Sequence, residues 1–218
     1  MRAAVVTIST SKARGEGEDE SGRRLTELAS RFGAEVVGPE IIPDDRALIE
    51  ERLRLLADEE RCELVLTTGG TGFAPSDVTP EATLAVIERQ APGIGEEMRA
   101  ASRDHTRHCL LSRAVAGIRG SILIVNFPGN PASIEQAGEA IADALPHALE
   151  LIGGRHSPHR TWCRRPPALH VDRDRRTAAP ARPVRSSPRV RPQCPSRPRG
   201  FLLDSEGALH AGVLVSGN

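Results

Sequence analysis

Apolar and polar positions alternate between two regimes along the first 150 residues. Residues 3–9, Ala-Ala-Val-Val-Thr-Ile-Ser, form an almost unbroken apolar, β-branched run, the pattern of a strand buried on both faces. A polar loop over residues 10–20 follows. From Ser21 the period changes: Leu25, Leu28, Ala29 and Phe32 recur at helical spacing and stop at Gly33, a residue suited to the left-handed position after a helix. Val36, Val37, Ile41 and Ile42 mark a second strand over 34–42, halted by Pro43. Asp45 can then cap a helix whose Leu48, Ile49, Leu53, Leu56 and Ala57 fall on one stripe.

The alternation continues. Residues 62–68, Cys-Glu-Leu-Val-Leu-Thr-Thr, predict a third strand running straight into Gly69-Gly-Thr-Gly72. Thr79 before Pro80 predicts a helix start, with a capping hydroxyl and a proline where the missing N–H costs nothing; this helix is expected to reach about Gln90. A further helix is expected over 92–103 and a last strand over 121–126. A closing helix over 132–152 carries Ile134, Ala137, Ile141, Leu145, Leu149 and Ile152, with Pro146 placed to kink it. Strands alternating with helices predict a three-layer α/β/α fold around a mostly parallel sheet. Ligands bind such sheets beyond the carboxyl ends of the strands, where every Gly- or Asp-bearing loop named here should gather.

Charge changes the picture at residue 154. The 218 residues carry 29 basic and 29 acidic side chains, but residues 1–154 hold 16 basic against 25 acidic, and residues 155–218 hold 13 against 4. The neutral total joins an acidic domain (1–154) to a basic, Arg/Pro-rich, low-complexity tail (155–218). The tail has nine of the 17 prolines and is expected to be disordered. It has no Arg-Gly-Gly pattern, and only Trp162 and Phe201 could stack on bases, so nucleic acid is not an expected partner. Its composition is also what a GC-rich gene read in an altered frame would yield, a hypothesis that resequencing the gene tests. No apolar run reaches the ~18 to 20 residues a bilayer requires, and no cleavable leader pattern opens the chain. A cytoplasmic protein is expected. Cys62, Cys109, Cys163 and Cys194 are scattered, without the spacing of a zinc site or a disulfide framework.

Three constellations carry candidate chemistry. Thr67-Thr68-Gly69-Gly70-Thr71-Gly72 places glycines and hydroxyls directly after a buried strand, where backbone N–H groups can turn toward an anion. It matches neither the Walker nor the dinucleotide glycine pattern. Asp44 and Asp77 lie in loops beside it. Carboxylates gathered near a phosphate-binding turn would repel each other and the ligand without a divalent cation between them, so Mg²⁺ is the natural partner. Asn126-Phe-Pro-Gly-Asn-Pro131 is a rigid turn before the last helix, whose Asn side chains could hydrogen-bond a base or polar heterocycle while the helix N-terminus after it favours anions. Leu111-Ser112-Arg113 adds a hydroxyl and a cation. His105 and His108 sit in a polar stretch and read as solvent-facing.

Together Ile42-Pro-Asp-Asp45, Leu66 to Gly72, Asp77-Val-Thr-Pro-Glu-Ala-Thr83, Leu111-Ser-Arg113 and Asn126 to Pro131 resemble the MogA/MoaB molybdopterin-binding family and the gephyrin G domain. Five motifs in order over residues 3–152 carry this resemblance. It implies a homotrimer that uses ATP and Mg²⁺ to adenylylate molybdopterin, with possible handover to a molybdenum-insertion protein. It makes Asp44 and Asp77 the catalytic, Mg²⁺-placing residues. Thr68, Gly69, Gly70, Thr71 and Gly72 become the phosphate-binding turn, and Ser112, Arg113, Asn126, Gly129 and Asn130 the surroundings of pterin and nucleotide. The alternative is a non-catalytic pterin-binding or scaffold protein of the same fold. Where relatives often carry Ser-Asp after the first strand, this chain has Ser9-Thr-Ser-Lys12, so Lys12 is not placed in the site.

Overall fold

The computed structural model describes residues 1–154; the tail over 155–218 lies outside the described residues. Thirteen elements follow in order. They are β1 (Arg2–Ile8), α1 (Thr10–Ala13), α2 (Glu20–Arg31), β2 (Glu35–Ile42), α3 (Arg46–Asp58), β3 (Leu64–Thr68) and α4 (Thr79–Val86). After them come β4 (Arg89–Gln90), α5 (Pro92–Ser102), β5 (Ala116–Arg119), β6 (Ile122–Phe127), α6 (Pro131–Ala142) and α7 (Leu145–Ile152). A short 3-10 helix, Arg107–Leu111, links α5 to β5.

The sheet order is β2-β1-β3-β6-β5-β4. β2, β1, β3 and β6 run parallel, and β6, β5 and β4 pair antiparallel. Every residue of β3 and β6 is buried, as their apolar runs require of central parallel strands. Alternate side chains feed two cores. Val5, Leu66, Val125 and Phe127 pack with Leu25 and Leu28 of α2 and Ile134 and Ile141 of α6. Val6, Ile8, Val65 and Ile124 pack with Ile49, Leu53 and Leu56 of α3 and Ala82 of α4. That division of neighbouring residues between two faces is the three-layer α/β/α arrangement. Each fully buried Leu, Ile or Phe contributes roughly 1.5–3 kcal/mol.

Register brings the loops together. Thr7 lies opposite Thr68, and Thr68 opposite Phe127, so β1, β3 and β6 end level. β1 is flanked by β2 on one side and β3 on the other, so after β2 the chain crosses over β1 to its other side. The crevice beyond β1 and β3 is therefore the switch point at which such sheets bind ligands.

Several sequence expectations need correction. The helix from Thr79 stops at Val86, and Arg89 and Gln90 form a strand instead. β5 was not expected: it is four residues long and joins β6 through Gly120 and Ser121, with Gly120 at φ +54°, a two-residue hairpin signal. The closing helix is two helices, α6 and α7, separated at Asp143 and Ala144 just before Pro146, where proline cannot supply an interior N–H. The first loop contains α1, capped by the Ser9 side chain. Among the described residues, no helix is long and apolar enough to cross a membrane.

Candidate active site

The glycine turn after β3 is built by close approach. Gly69 has φ +98°, and a Cβ there would collide with the carbonyl oxygen of Ile8 at the end of β1. Gly70, at φ +61°, is similarly closed off by the Thr79 hydroxyl, which donates to Gly69 O at 3.0 Å. Thr79 is thus not the cap expected from the sequence: α4 has no side-chain cap, and the hydroxyl ties the turn to the helix. The turn is also fastened to the loop after β6. Thr68 Oγ1 donates to Pro128 O at 2.8 Å, and a Cβ on Gly129 would stand 3.2 Å from Gly69 Cα.

Both candidate carboxylates border this turn. A methyl group on Gly70 would stand 3.3 Å from Asp44 Oδ1, and one on Gly72 would stand 2.8 Å from Asp77 Oδ2. Asp44 is held through Oδ2, which accepts from Thr10 N at 2.7 Å and Thr10 Oγ1 at 2.9 Å. Asp77 Oδ2 accepts from Ala74 N at 2.8 Å. Each carboxylate keeps its other oxygen without a protein hydrogen bond among the described residues. Asp45 performs the capping role, accepting from Leu48 N.

In front of the turn lies a cleft of about 330 Å³. Gly70, Thr71, Gly72, Asp77, Ser112, Gly129 and Asn130 are on its wall. Asp44, Thr68 and Gly69 border the turn but do not line that cleft. Asn130 also caps α6, accepting from Ala132 N at 3.0 Å.

Two residues assigned to ligand by resemblance are placed elsewhere. Asn126 is fully buried; its Nδ2 donates to the hydroxyls of Thr67 and Thr83 at 3.0 and 2.9 Å. The strand period puts its side chain on the same face as Ile124, toward α4, so it ties β6, β3 and α4 together. Arg113, expected as a cation around pterin and nucleotide, lines a neighbouring cavity with Arg99 and Ser112 rather than this cleft. Its Nε donates to Gly72 O at 2.7 Å and its Nη2 to Asp77 O at 2.6 Å, and Nη1 pairs with Glu81. Its backbone N–H reaches Thr71 O at 2.9 Å. Burial disfavours the charged form of Glu81, but the hydrogen bond and positive charge of Arg113 outweigh it and hold the carboxyl below its usual range.

Sequence patterns missed the far wall, made by Met98, Arg99 and Ser102 of α5 with Cys109 of the 3-10 helix. The available signal was a glycine, Gly95, inside a helix one turn before an arginine. His108 is exposed as expected, yet it stands at the cleft's edge. Lys12 donates to Glu18 O within its own loop.

The residues present suit Mg²⁺. Among the described residues no three His, Cys, Asp or Glu side chains form a closed metal cage. Mg²⁺ needs none, since it takes hard oxygen ligands from one or two carboxylates, water and substrate phosphates.

Comparison with known proteins agrees with this architecture. The family model of the probable molybdopterin binding domain matches residues 4–147. A molybdopterin adenylyltransferase of Helicobacter pylori (strain J99) is 42% identical over 157 residues, covering 70% of this chain and 88% of that protein. The Escherichia coli K12 protein of the same name is 40% identical over 171 residues, covering 71% and 86%. The crystal structure of the molybdopterin biosynthesis enzyme MoaB from Thermus thermophilus superposes with a TM-score of 0.67 at 42% identity, covering 70% of this chain and 96% of that one. The chain belongs to the molybdopterin-binding domain family that includes these adenylyltransferases of molybdenum cofactor biosynthesis.

Proposed function

We propose that the chain transfers AMP from ATP to the terminal phosphate of molybdopterin, giving adenylylated molybdopterin and pyrophosphate in a Mg²⁺-dependent reaction. The observation that carries this reading is the pair of carboxylates, Asp44 beside Gly70 and Asp77 beside Gly72, that border one glycine turn. A phosphate oxygen is already ionised near pH 7, so in-line attack on the α-phosphorus needs alignment and charge neutralisation more than a strong base. The site has those parts. Gly70, Thr71 and Gly72 offer a turn that a phosphate can approach closely, and Ser112 and Asn130 offer polar contacts on the same wall. Mg²⁺ held by Asp44 and Asp77 would supply positive charge for the phosphates of both substrates. The acidic domain cannot recruit these anions by its overall charge, so local groups must do so.

A homotrimer fits the exposure of apolar side chains such as Phe73 and Leu110, which are 67% and 73% exposed; light scattering in solution tests it. A handover of product to a molybdenum-insertion protein follows from the same reading. The decisive experiment incubates purified protein with ATP, Mg²⁺ and molybdopterin. Pyrophosphate release above background is expected, and its absence with intact pterin binding would leave a non-catalytic pterin-binding protein. Asp77→Asn should bind pterin yet lose turnover.

A further inference from the structure

One arginine of the cleft has no task in the reaction as described. Arg99, near the end of α5, lies on the cleft wall, where its Nη1 donates to Ala114 O at 3.0 Å. A guanidinium has five N–H donors in a planar fork. Among the described residues Nε and Nη2 of Arg99 meet no partner, and no carboxylate pairs with it. Arg52, Arg113 and Arg119, also partly buried, each spend their charge on an acidic neighbour.

Gly95 provides the seat for this side chain. It lies one turn earlier on α5, and a methyl group there would stand 3.3 Å from Arg99 Nη1, 3.4 Å from Nη2 and 2.9 Å from Ala114 O. Glycine inside a helix is unfavourable relative to alanine. Here it leaves room for the guanidinium to lie against its own helix, anchored at Nη1, where Arg99 borders both the cleft and a neighbouring cavity lined by Gly95, Ser112 and Ala114, and its Nε and Nη2 have no partner among the described residues. The neighbouring wall offers the hydroxyls of Thr71, Ser112 and Ser133, which can donate to the same ligand. The border of the cleft therefore carries an arginine anchored at one nitrogen and without a carboxylate partner among the described residues, close to these hydroxyls.

We propose that Arg99 binds a phosphoryl group of the substrate in this cleft, through the bidentate geometry that guanidinium and phosphate share. The proposal rests on the adenylyl-transfer reading, which brings two phosphorylated substrates to this edge of the sheet. It deepens that reading by exchanging the roles of two arginines: Arg113 positions protein, and Arg99 meets ligand. The phosphoryl group belongs either to the pterin monoester or to the nucleotide, and experiment separates the two.

Arg99→Gln and Arg99→Lys are compared with the full-length wild type, with folding checked by circular dichroism. The probes are a pterin monophosphate, its dephosphorylated counterpart and ATP. If the pterin phosphate is the ligand, Arg99→Gln loses about 10- to 100-fold of the preference for the phosphorylated pterin, with unchanged binding of the dephosphorylated form. If the nucleotide is the ligand, the KM for ATP rises by a similar factor and pterin preference stays intact. Arg99→Lys should recover part of either loss.

A folded Arg99→Gln protein with both quantities unchanged overturns the proposal. So does equal weakening toward all three probes, which would mark a structural role. If Arg99→Gln does not fold, the same ratios measured on Arg99→Lys decide, because lysine keeps the charge but loses the fork. Wild-type protein that releases pyrophosphate while the variants behave normally overturns this proposal alone. Wild-type protein that prefers the phosphorylated pterin through Arg99 yet releases no pyrophosphate overturns adenylyl transfer alone.

Discussion

Arg113 Nη2 donates to the main-chain carbonyl of Asp77 at 2.6 Å. The same guanidinium holds Gly72 O and pairs with Glu81, so one side chain sets the distance between the glycine turn and the loop carrying a candidate acidic residue. Arg113→Lys keeps the charge but cannot span these three partners with one ammonium. In the proposed reaction its kcat should fall roughly 10- to 100-fold with the KM for either substrate changed less than about threefold, because small displacements of aligned groups cost rate. Steady-state pyrophosphate release measures this, and a KM rise with kcat unchanged would return Arg113 to the substrate.

The Glu81 partner makes the clamp pH-dependent. Its folded-state pKa is lowered, so its contribution is present above the ordinary glutamate value and is lost as pH falls through the lower, folded value. The window therefore lies on the acid side of the ordinary glutamate value. The melting temperature of the wild type should exceed that of Glu81→Gln near neutrality, and the gap should close as the pH drops through that window. A constant gap would mean that ionised Glu81 contributes nothing. The pair is partly exposed, so the effect should shrink in high salt.

Gly69 admits no side chain. Its backbone is in the left-handed region and a Cβ would strike Ile8 O, which the pairing of β1 with β2 and β3 prevents from moving. Gly69→Ala should cost about 2–4 kcal/mol in chemical denaturation, from strain and overpacking together. Loss of turnover should accompany it even below the melting temperature. A variant as stable as wild type would show that the joint between β1 and the turn is loose.

Asn126 should behave as a core residue. Asn126→Ala leaves the hydroxyls of Thr67 and Thr83 without their shared partner and should destabilise the fold by about 1–3 kcal/mol. Substrate affinity measured well below the unfolding transition should change little. A large fall in pterin or ATP binding with stability unchanged would place Asn126 in the site after all.

The layered fold was legible because its causes are local. A buried parallel strand needs a near-continuous apolar run, and 3–9, 62–68 and 121–126 have one; a covering helix needs one apolar stripe, as Leu25, Leu28 and Ala29 supply. The Asp45 cap and the glycine turn were equally plain, since each is a local backbone requirement. β5 and β4 were not, because four and two residues carry too little periodicity and depend on pairing with β6 for their existence.

Residue type and order by themselves determined which loops gather at the carboxyl edge and which side chains could carry phosphate chemistry there. Only the tertiary structure decided what those side chains do. Asn126 and Arg113 both read as ligand groups, yet one is turned inward by the strand period and the other is consumed by Gly72, Asp77 and Glu81. Arg99 carried no sequence signal of its own, and only the packing of α5 against the segment bearing Ala114 places it at the border of the cleft, anchored at Nη1 with Nε and Nη2 without a partner among the described residues. A charged group's role depends on which partners lie within hydrogen-bond reach, and for Arg113 those partners are 32 to 41 residues distant in the chain.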